Sequence, residues 1–221
     1  MLKYLPITFI LLTGCTSDPA KYVPHSAEEV SQKRASTDNL CHCPGQEESD
    51  ITYFNQYDNR LHPSSSCQNT SVAMLLSKFG WWGNPDDITR EWGKDYAQSP
   101  SGLANMFNEL AAKSNISKIL TPVTNGTIEG FRNLLIQGKP TIVHGYFTGY
   151  GHVLLVLDFD GTYYTVNDPA GCWSEQFKGG YNWCSAGTTG ENIRYHKDVF
   201  EAAIATSNGW DYLPLWYHKL E

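Results

Sequence analysis

The chain has 221 residues, a formal net charge of −7 and 13% aromatic residues. That aromatic content excludes an intrinsically disordered chain. The acidic balance excludes sequence-independent nucleic-acid binding, which sets Lys and Arg against phosphates.

The N-terminus reads "MLKYLPITFILLTGC": a basic Lys3, a short apolar run from Leu5 to Leu12, then Leu-Thr-Gly-Cys15. This is the layout of a secretory signal, and the run is too short to span a bilayer. Its ending resembles a bacterial lipobox. That resemblance implies a signal peptide over 1–14, a lipid on Cys15, and attachment to the cell envelope. Thr16 after the cysteine, rather than an aspartate, favours the outer membrane over the inner. Residues 15–50 are polar and poor in periodic apolar positions, and read as a tether with one short helix near Ala27–Arg34. From Ile51 to residue 221 the texture is that of one globular domain with a core of its own.

Within that domain, "DITYFNQYDN" reads as a short strand running into a turn. "SSSCQNTSVAMLLSKFG" predicts a helix: Val72, Ala73, Leu75, Leu76 and Phe79 share one face, and Gly80 stops it. Ser64–Ser66 are its N-cap candidates. Further helices are expected over "NPDDITREWGKD", capped near Asp86, and over "SPSGLANMFNELAAKSN". Another is expected over "NGTIEGFRNLLIQGK", capped by Thr127 and ended by Gly138. The period then changes. "KPTIVHGYF", "HVLLVLDF" and "TYYTVND" are β-rich, and the last two flank Asp160-Gly161, a hairpin signal. "HKDVFEAAIA" predicts a last helix and "WDYLPLWYHKL" a last strand. The fold class is α+β, with helices on one side of an antiparallel sheet.

Six cysteines are present: Cys15, Cys41, Cys43, Cys67, Cys172 and Cys184. With Cys15 lipidated, an odd number remains in an oxidising compartment, so one thiol stays unpaired. Cys172 and Cys184 bracket a Gly- and Trp-rich loop and form the natural disulfide. The aromatics Trp173 and Trp183 in that loop are either cleft wall or packing. Cys41 and Cys43 form a C-x-C, strained for a mutual bridge. They pair elsewhere, or bind metal with His42, but a lone C-H-C is thin support for zinc. No metal site or cofactor is expected. The cysteine left over is Cys67, which is a disulfide half, a core thiol or a nucleophile.

Cys67 falls in the first turn of its helix, where free N–H groups and the helix dipole stabilise a thiolate. A nucleophilic thiol needs a base. Of the histidines, His144 and His152 lie on strands that can face a cleft. His152 has a partner in Asp168, at the end of the following strand. A three-residue loop over Phe159-Asp160-Gly161 sets His152 directly across from Asp168 on one face. A two-residue Asp160-Gly161 turn puts them on opposite faces. The functional reading predicts the three-residue loop.

The segments "NQYDN", "SCQNTSVAM", "GHVLLVLDFDG" and "VNDPAG", in that order between Tyr53 and Gly171, resemble bacteriocin-processing cysteine peptidases. These are enzymes of the double-glycine-leader type, within the papain-like superfamily. The resemblance implies a papain-like fold with N-terminal helices packed on a C-terminal antiparallel sheet. It makes Cys67 the nucleophile, His152 the base and Asp168 the residue orienting the histidine. Gln56 becomes the oxyanion-hole glutamine, with Asn55 and Asn69 as nearby substitutes. Gln56 lies eleven residues before Cys67, farther than in papain itself. No transporter segments follow, so the leader-cleaving role of transporter-linked relatives is not carried over. The function implied is a thiol hydrolase that cleaves a peptide or isopeptide bond in a peptide or protein substrate. A hydrolase of peptidoglycan stem peptides and an acyltransferase use the same triad. A non-catalytic binding lipoprotein is the alternative outside enzymes.

Overall fold

The computed structural model describes residues 50–184, 188–205 and 214–221. Cys15, the tether helix, Cys41 and Cys43 lie outside the described residues.

Three helices open the fold. Helix α1 (Cys67–Ser77) is buried from Gln68 to Ser77. Its apolar residues Val72–Leu76 are fully buried, each stabilising by about 1.5–3 kcal/mol for a large aliphatic. The polar residues Gln68–Ser71 of the first turn are buried as well, and each side chain donates a hydrogen bond. The Asn69 amide donates to Thr89 Oγ1 at 2.9 Å, Thr70 Oγ1 to Ser66 O at 2.8 Å, and Ser71 Oγ to Val153 O at 3.2 Å. The Ser71 bond docks α1 against the sheet at Val153, the Asn69 bond ties it to Thr89 in the next helix, and the Thr70 bond closes its own first turn. Ser66 sits at the N-cap position but makes no capping bond, because its hydroxyl accepts from Asn59 Nδ2 instead. Gly80 has φ +81°, a left-handed value that suits the chain's exit from the helix.

Helix α2 (Pro85–Trp92) is capped by Asn84 rather than Asp86, in a capping box with Asp87. Asp86 instead accepts from the backbone N–H groups of Arg60 and Leu61, at 2.9 Å each. It thereby ties α2 to the loop ahead of Cys67. Helix α3 (Pro100–Lys113) buries Leu103, Met106, Phe107 and Leu110 as its spacing predicts.

The sheet follows. Strands β1 (Leu120–Gly126), β2 (Thr141–Gly145), β3 (His152–Phe159), β4 (Tyr163–Asn167), β7 (Ile193–His196) and β8 (Leu215–Leu220) pair in the order β1-β8-β2-β3-β4-β7. All five pairings are antiparallel. Helix α4 (Ile128–Ile136) lies between β1 and β2, with Thr127 capping it as expected. Helix α5 (Lys197–Ala205) lies between β7 and β8. Strands β5 (Cys172–Trp173) and β6 (Tyr181–Asn182) form a separate two-stranded ladder.

The α+β class and the N-terminal helices on an antiparallel sheet are as expected. The difference is that both faces are covered. Ile142 and Leu155 join the core of α1 and α3, while their strand neighbours Val143 and Leu154 join the core of α4 and α5. Successive strand residues point to opposite faces, so the sheet lies between two helical layers. The segment before Gln56 is not a strand. It runs extended, held by single bonds such as Thr52 N to Ser77 Oγ at 2.9 Å, into a 3-10 turn over Gln56–Asp58.

The hairpin of β3 and β4 has neither expected register. Phe159 pairs with Tyr164 and Asp158 with Thr165, but Val156 pairs with Val166 and Leu155 with Asn167. The loop between Phe159 and Tyr164 therefore has four residues, organised by Asp160 Oδ1 accepting from Thr162 N and Tyr163 N at 2.8 Å. A bulge between Val156 and Asp158 then inserts Leu157 into β3. An even loop alone would put His152 and Asp168 on opposite faces. The extra residue reverses the alternation and returns both to one face.

Candidate active site

Cys67 is the first residue of α1, where backbone N–H groups lack intrahelical acceptors. It is half-buried, and it is the described cysteine that is not in a disulfide. Cys172 and Cys184 are bonded to each other. Among the described residues, no group of His, Cys, Asp and Glu could hold a metal ion.

His152 opens β3 and is 5% exposed, and Asp168, just past β4, is fully buried. His152 Nε2 lies 3.0 Å from Asp168 Oδ1. Used in this way, Nε2 leaves Nδ1 as the ring nitrogen for the thiol. The Asp168 carboxylate is saturated with donors. Oδ1 also accepts from Ala170 N at 3.0 Å, and Oδ2 accepts from the Tyr181 hydroxyl at 2.9 Å and the Tyr195 hydroxyl at 3.1 Å.

Electrostatics couple the thiol and the ring. Burial pushes the Cys67 thiol up. The charge of His152 and hydrogen bonds from His152 and the backbone outweigh it, and the pKa falls below the ordinary thiol value. Burial pushes His152 down, but Asp168 and Cys67 more than reverse this and hold it at about 10. The arrangement favours a thiolate–imidazolium pair. One contact opposes it: the Cys67 thiol donates to Gln68 Oε1 at 3.2 Å. The Gln68 amide is oriented by Ser65 O and Lys94 O, at 3.2 and 2.5 Å from Nε2.

Cys67, His152 and Gln56 line one cleft of about 370 Å³, with Gln68, His144 and Tyr181 among its other walls. Gln56 is held there by its backbone N–H to Pro169 O at 2.8 Å and its side-chain amide to Pro63 O at 3.0 Å. The substitutes are engaged elsewhere. Asn55 caps the 3-10 turn, and Asn69 is bonded to Thr89 and Gly93.

His144 shares the cleft and has no carboxylate partner among the described residues. Its pKa is lowered, first by burial and then by the charge of His152. Gly151 fits against it only because it lacks a side chain: a Cβ there would lie 2.6 Å from His144 Nε2. Neither Trp173 nor Trp183 is among the cleft walls; the disulfide loop contributes Tyr181 instead. Trp173 is core, and Trp183 is fully exposed. Sequence reasoning missed Tyr181 and Tyr195, since a phenol carries no local signal of a distant carboxylate. The nearest clue was the position of Tyr181 inside the disulfide loop.

The "Peptidase_C39 like family" matches residues 48–202. No curated protein matches the chain. Among solved structures, a C39-like peptidase from Bacillus anthracis superposes with a TM-score of 0.52 at 14% identity, over 80% of this chain and 98% of that one. At this identity the likeness is one of fold, and it places the chain with papain-like C39 peptidases in architecture. A double glycine motif protease from an AMS/PCAT transporter, solved in complex with the leader peptide, matches with a TM-score of 0.48 at 15% identity. That match covers 79% of this chain and 94% of the protease chain.

Proposed function

The chain belongs to the Peptidase C39-like family, and from that premise we propose that it is a thiol peptidase with a Cys67–His152–Asp168 triad. The Cys67 thiolate attacks the carbonyl carbon of a peptide or isopeptide bond. The His152 imidazolium gives its proton to the leaving amine, and the acyl-enzyme is then hydrolysed by a water that His152 deprotonates. Asp168 fixes the tautomer and orientation of the ring. The Cys67 N–H and the Gln56 amide donate to the oxyanion.

The observation that carries this reading is the convergence of the three groups. A helix-start thiol and a histidine share one cleft, and the histidine is bonded to a buried carboxylate 16 residues away in sequence. The test is incubation with a proteome-derived peptide library, followed by mass spectrometry of new peptide termini. Cleavages that vanish in Cys67→Ala are expected. A wild-type protein producing no termini beyond those of the variant overturns the reading.

The site of action in this proposal is the cell envelope, through a lipid on Cys15. Metabolic labelling with an alkyne fatty acid tests it: label present in wild type and absent in Cys15→Ser is expected. A membrane fraction without label removes the anchor.

A further inference from the structure

We propose that Tyr181 is a positioning residue of the triad, and that the Cys172–Cys184 disulfide fastens the loop that presents it. This rests on the triad reading above and adds to it a residue outside the matched motifs.

Tyr181 meets the thiol's base and the carboxylate that holds that base. Its hydroxyl donates to Asp168 Oδ2 at 2.9 Å. Its ring stands edge-on to the His152 ring, with centroids 5.1 Å apart and planes at 67°. It also walls the cleft that holds Cys67. One side chain thus limits rotation of the carboxylate, closes one flank of the imidazole and borders the space a substrate enters. Burial and the nearby Asp168 hold the phenol well above its ordinary pKa, so it remains a donor throughout the working range.

The ladder that carries Tyr181 is short, and its anchor in the core is Trp173, whose Nε1 donates to Phe147 O at 3.1 Å. Strands β5 and β6 share two residue pairs, Cys172 with Asn182 and Trp173 with Tyr181. A two-stranded ladder is marginal on its own. Two backbone bonds support it from the loop before β3: Lys178 N to Tyr146 O at 2.9 Å and Gly180 N to Phe147 O at 3.0 Å. The disulfide closes the far end, 12 residues apart in sequence. Reduction takes two electrons: two monothiols become one disulfide while Cys172 and Cys184 become two thiols. It opens the loop beside Tyr181 without touching Cys67, which makes the loop a redox-sensitive support of the site.

The readout is the pH dependence of Cys67 alkylation by iodoacetamide, which follows the thiolate fraction. The titratable groups lining the cleft with Cys67 are His152 from β3, His144 from β2, Tyr57 from the 3-10 turn, Tyr150 from the loop before β3 and Tyr181 from β6. Of these, His152 supplies the charge that lowers the thiol. Disordering the ring weakens that charge at the sulfur, so the acid limb moves up toward the ordinary thiol value.

Four proteins are compared: wild type, Tyr181→Phe, Tyr181→Ala, and the double variant Cys172→Ser/Cys184→Ser. A rise of about one pH unit in the limb is expected for Tyr181→Ala, with labelling at pH values below the wild-type limb reduced about tenfold. Smaller rises in the same direction are expected for the other two variants. A purely structural role lowers the melting temperature and leaves the limb in place. Limbs matching wild type in Tyr181→Phe and the double variant overturn the proposal, whatever the fate of Tyr181→Ala. A wild type with no limb below the ordinary thiol range removes the triad reading itself, which keeps the two failures apart.

Discussion

His152 reaches Asp168, at 3.0 Å, because β3 carries one residue more than β4 across their ladder. The relationship is not set by the turn. Four loop residues impose one parity, and the bulge at Leu157 imposes the other, the one that the histidine and the carboxylate require. Deleting Leu157 therefore restores a regular ladder and rotates His152 away from Asp168. Loss of selective Cys67 alkylation below pH 7 is expected for the deletion. Leu157→Ala keeps the residue count and costs about 2 kcal/mol for a half-buried leucine, with alkylation retained. Equal labelling of the deletion and wild type would show that the bulge does not control the site.

The thiolate–imidazolium pair shapes stability against pH. His152 is raised to about 10 in the folded chain. Its contribution is full below the unfolded value of about 6.5 and is lost as pH rises through the folded value. Cys67 is lowered. Its contribution is present above the unfolded value of about 8.5 and is lost as pH falls through the folded value. Where the folded thiol is ionised, the two slopes cancel between about pH 6.5 and 8.5, since folded and unfolded chains then hold one proton each across the pair. In Cys67→Ala only the histidine term remains, so stability falls across the same interval. Urea unfolding at pH 6.5, 7.5 and 8.5 checks this: the wild-type minus variant difference increases with pH. A constant difference contradicts the ion pair.

Gln56 separates thiol activation from transition-state stabilisation. Its amide is tied to Pro63 O and plays no part in the His152–Asp168 bond. Gln56→Ala is expected to lower peptide cleavage about 10²–10³-fold, the usual effect of losing one oxyanion donor. Cys67 alkylation stays near wild type, because iodoacetamide forms no tetrahedral oxyanion. Parallel loss of both activities would make Gln56 a support of the Cys67 loop instead.

Much of this was legible in the residues. The serine-flanked cysteine at a helix start, the two β-runs around Asp160-Gly161, and the bracket of Cys172 and Cys184 each carry a local physical signal. What was hidden is non-local. Nothing in "LLVLDFDG" distinguishes a bulged strand from a regular one, since Leu157 is as good a strand residue as its neighbours. The strand expected in "DITYFNQYDN" has strand-like residues, but Thr52 N bonds to the Ser77 side chain and Gln56 N to Pro169 O rather than to a ladder. The second helical layer is not legible in the sequence, because chain order does not give spatial order. Strand β1 precedes α4, and this strand–helix alternation lets α4 and α5 reach the far face.

Gln68 holds the thiol back. Its Oε1 accepts from the Cys67 thiol at 3.2 Å, and a hydrogen bond to the neutral form opposes ionisation. The amide cannot turn its NH₂ toward the sulfur without releasing Ser65 O and Lys94 O, both of which it bonds. Gln68→Leu removes the acceptor and keeps the bulk. The acid limb of alkylation is expected to shift down by about half a pH unit, while stability falls by about 1–3 kcal/mol from the two carbonyls left unpaired. Gln68→Glu works in the opposite direction: a carboxylate beside the sulfur raises the limb, through repulsion of the thiolate. Titrating both variants with iodoacetamide separates this from a packing effect, which would move the two limbs in the same direction.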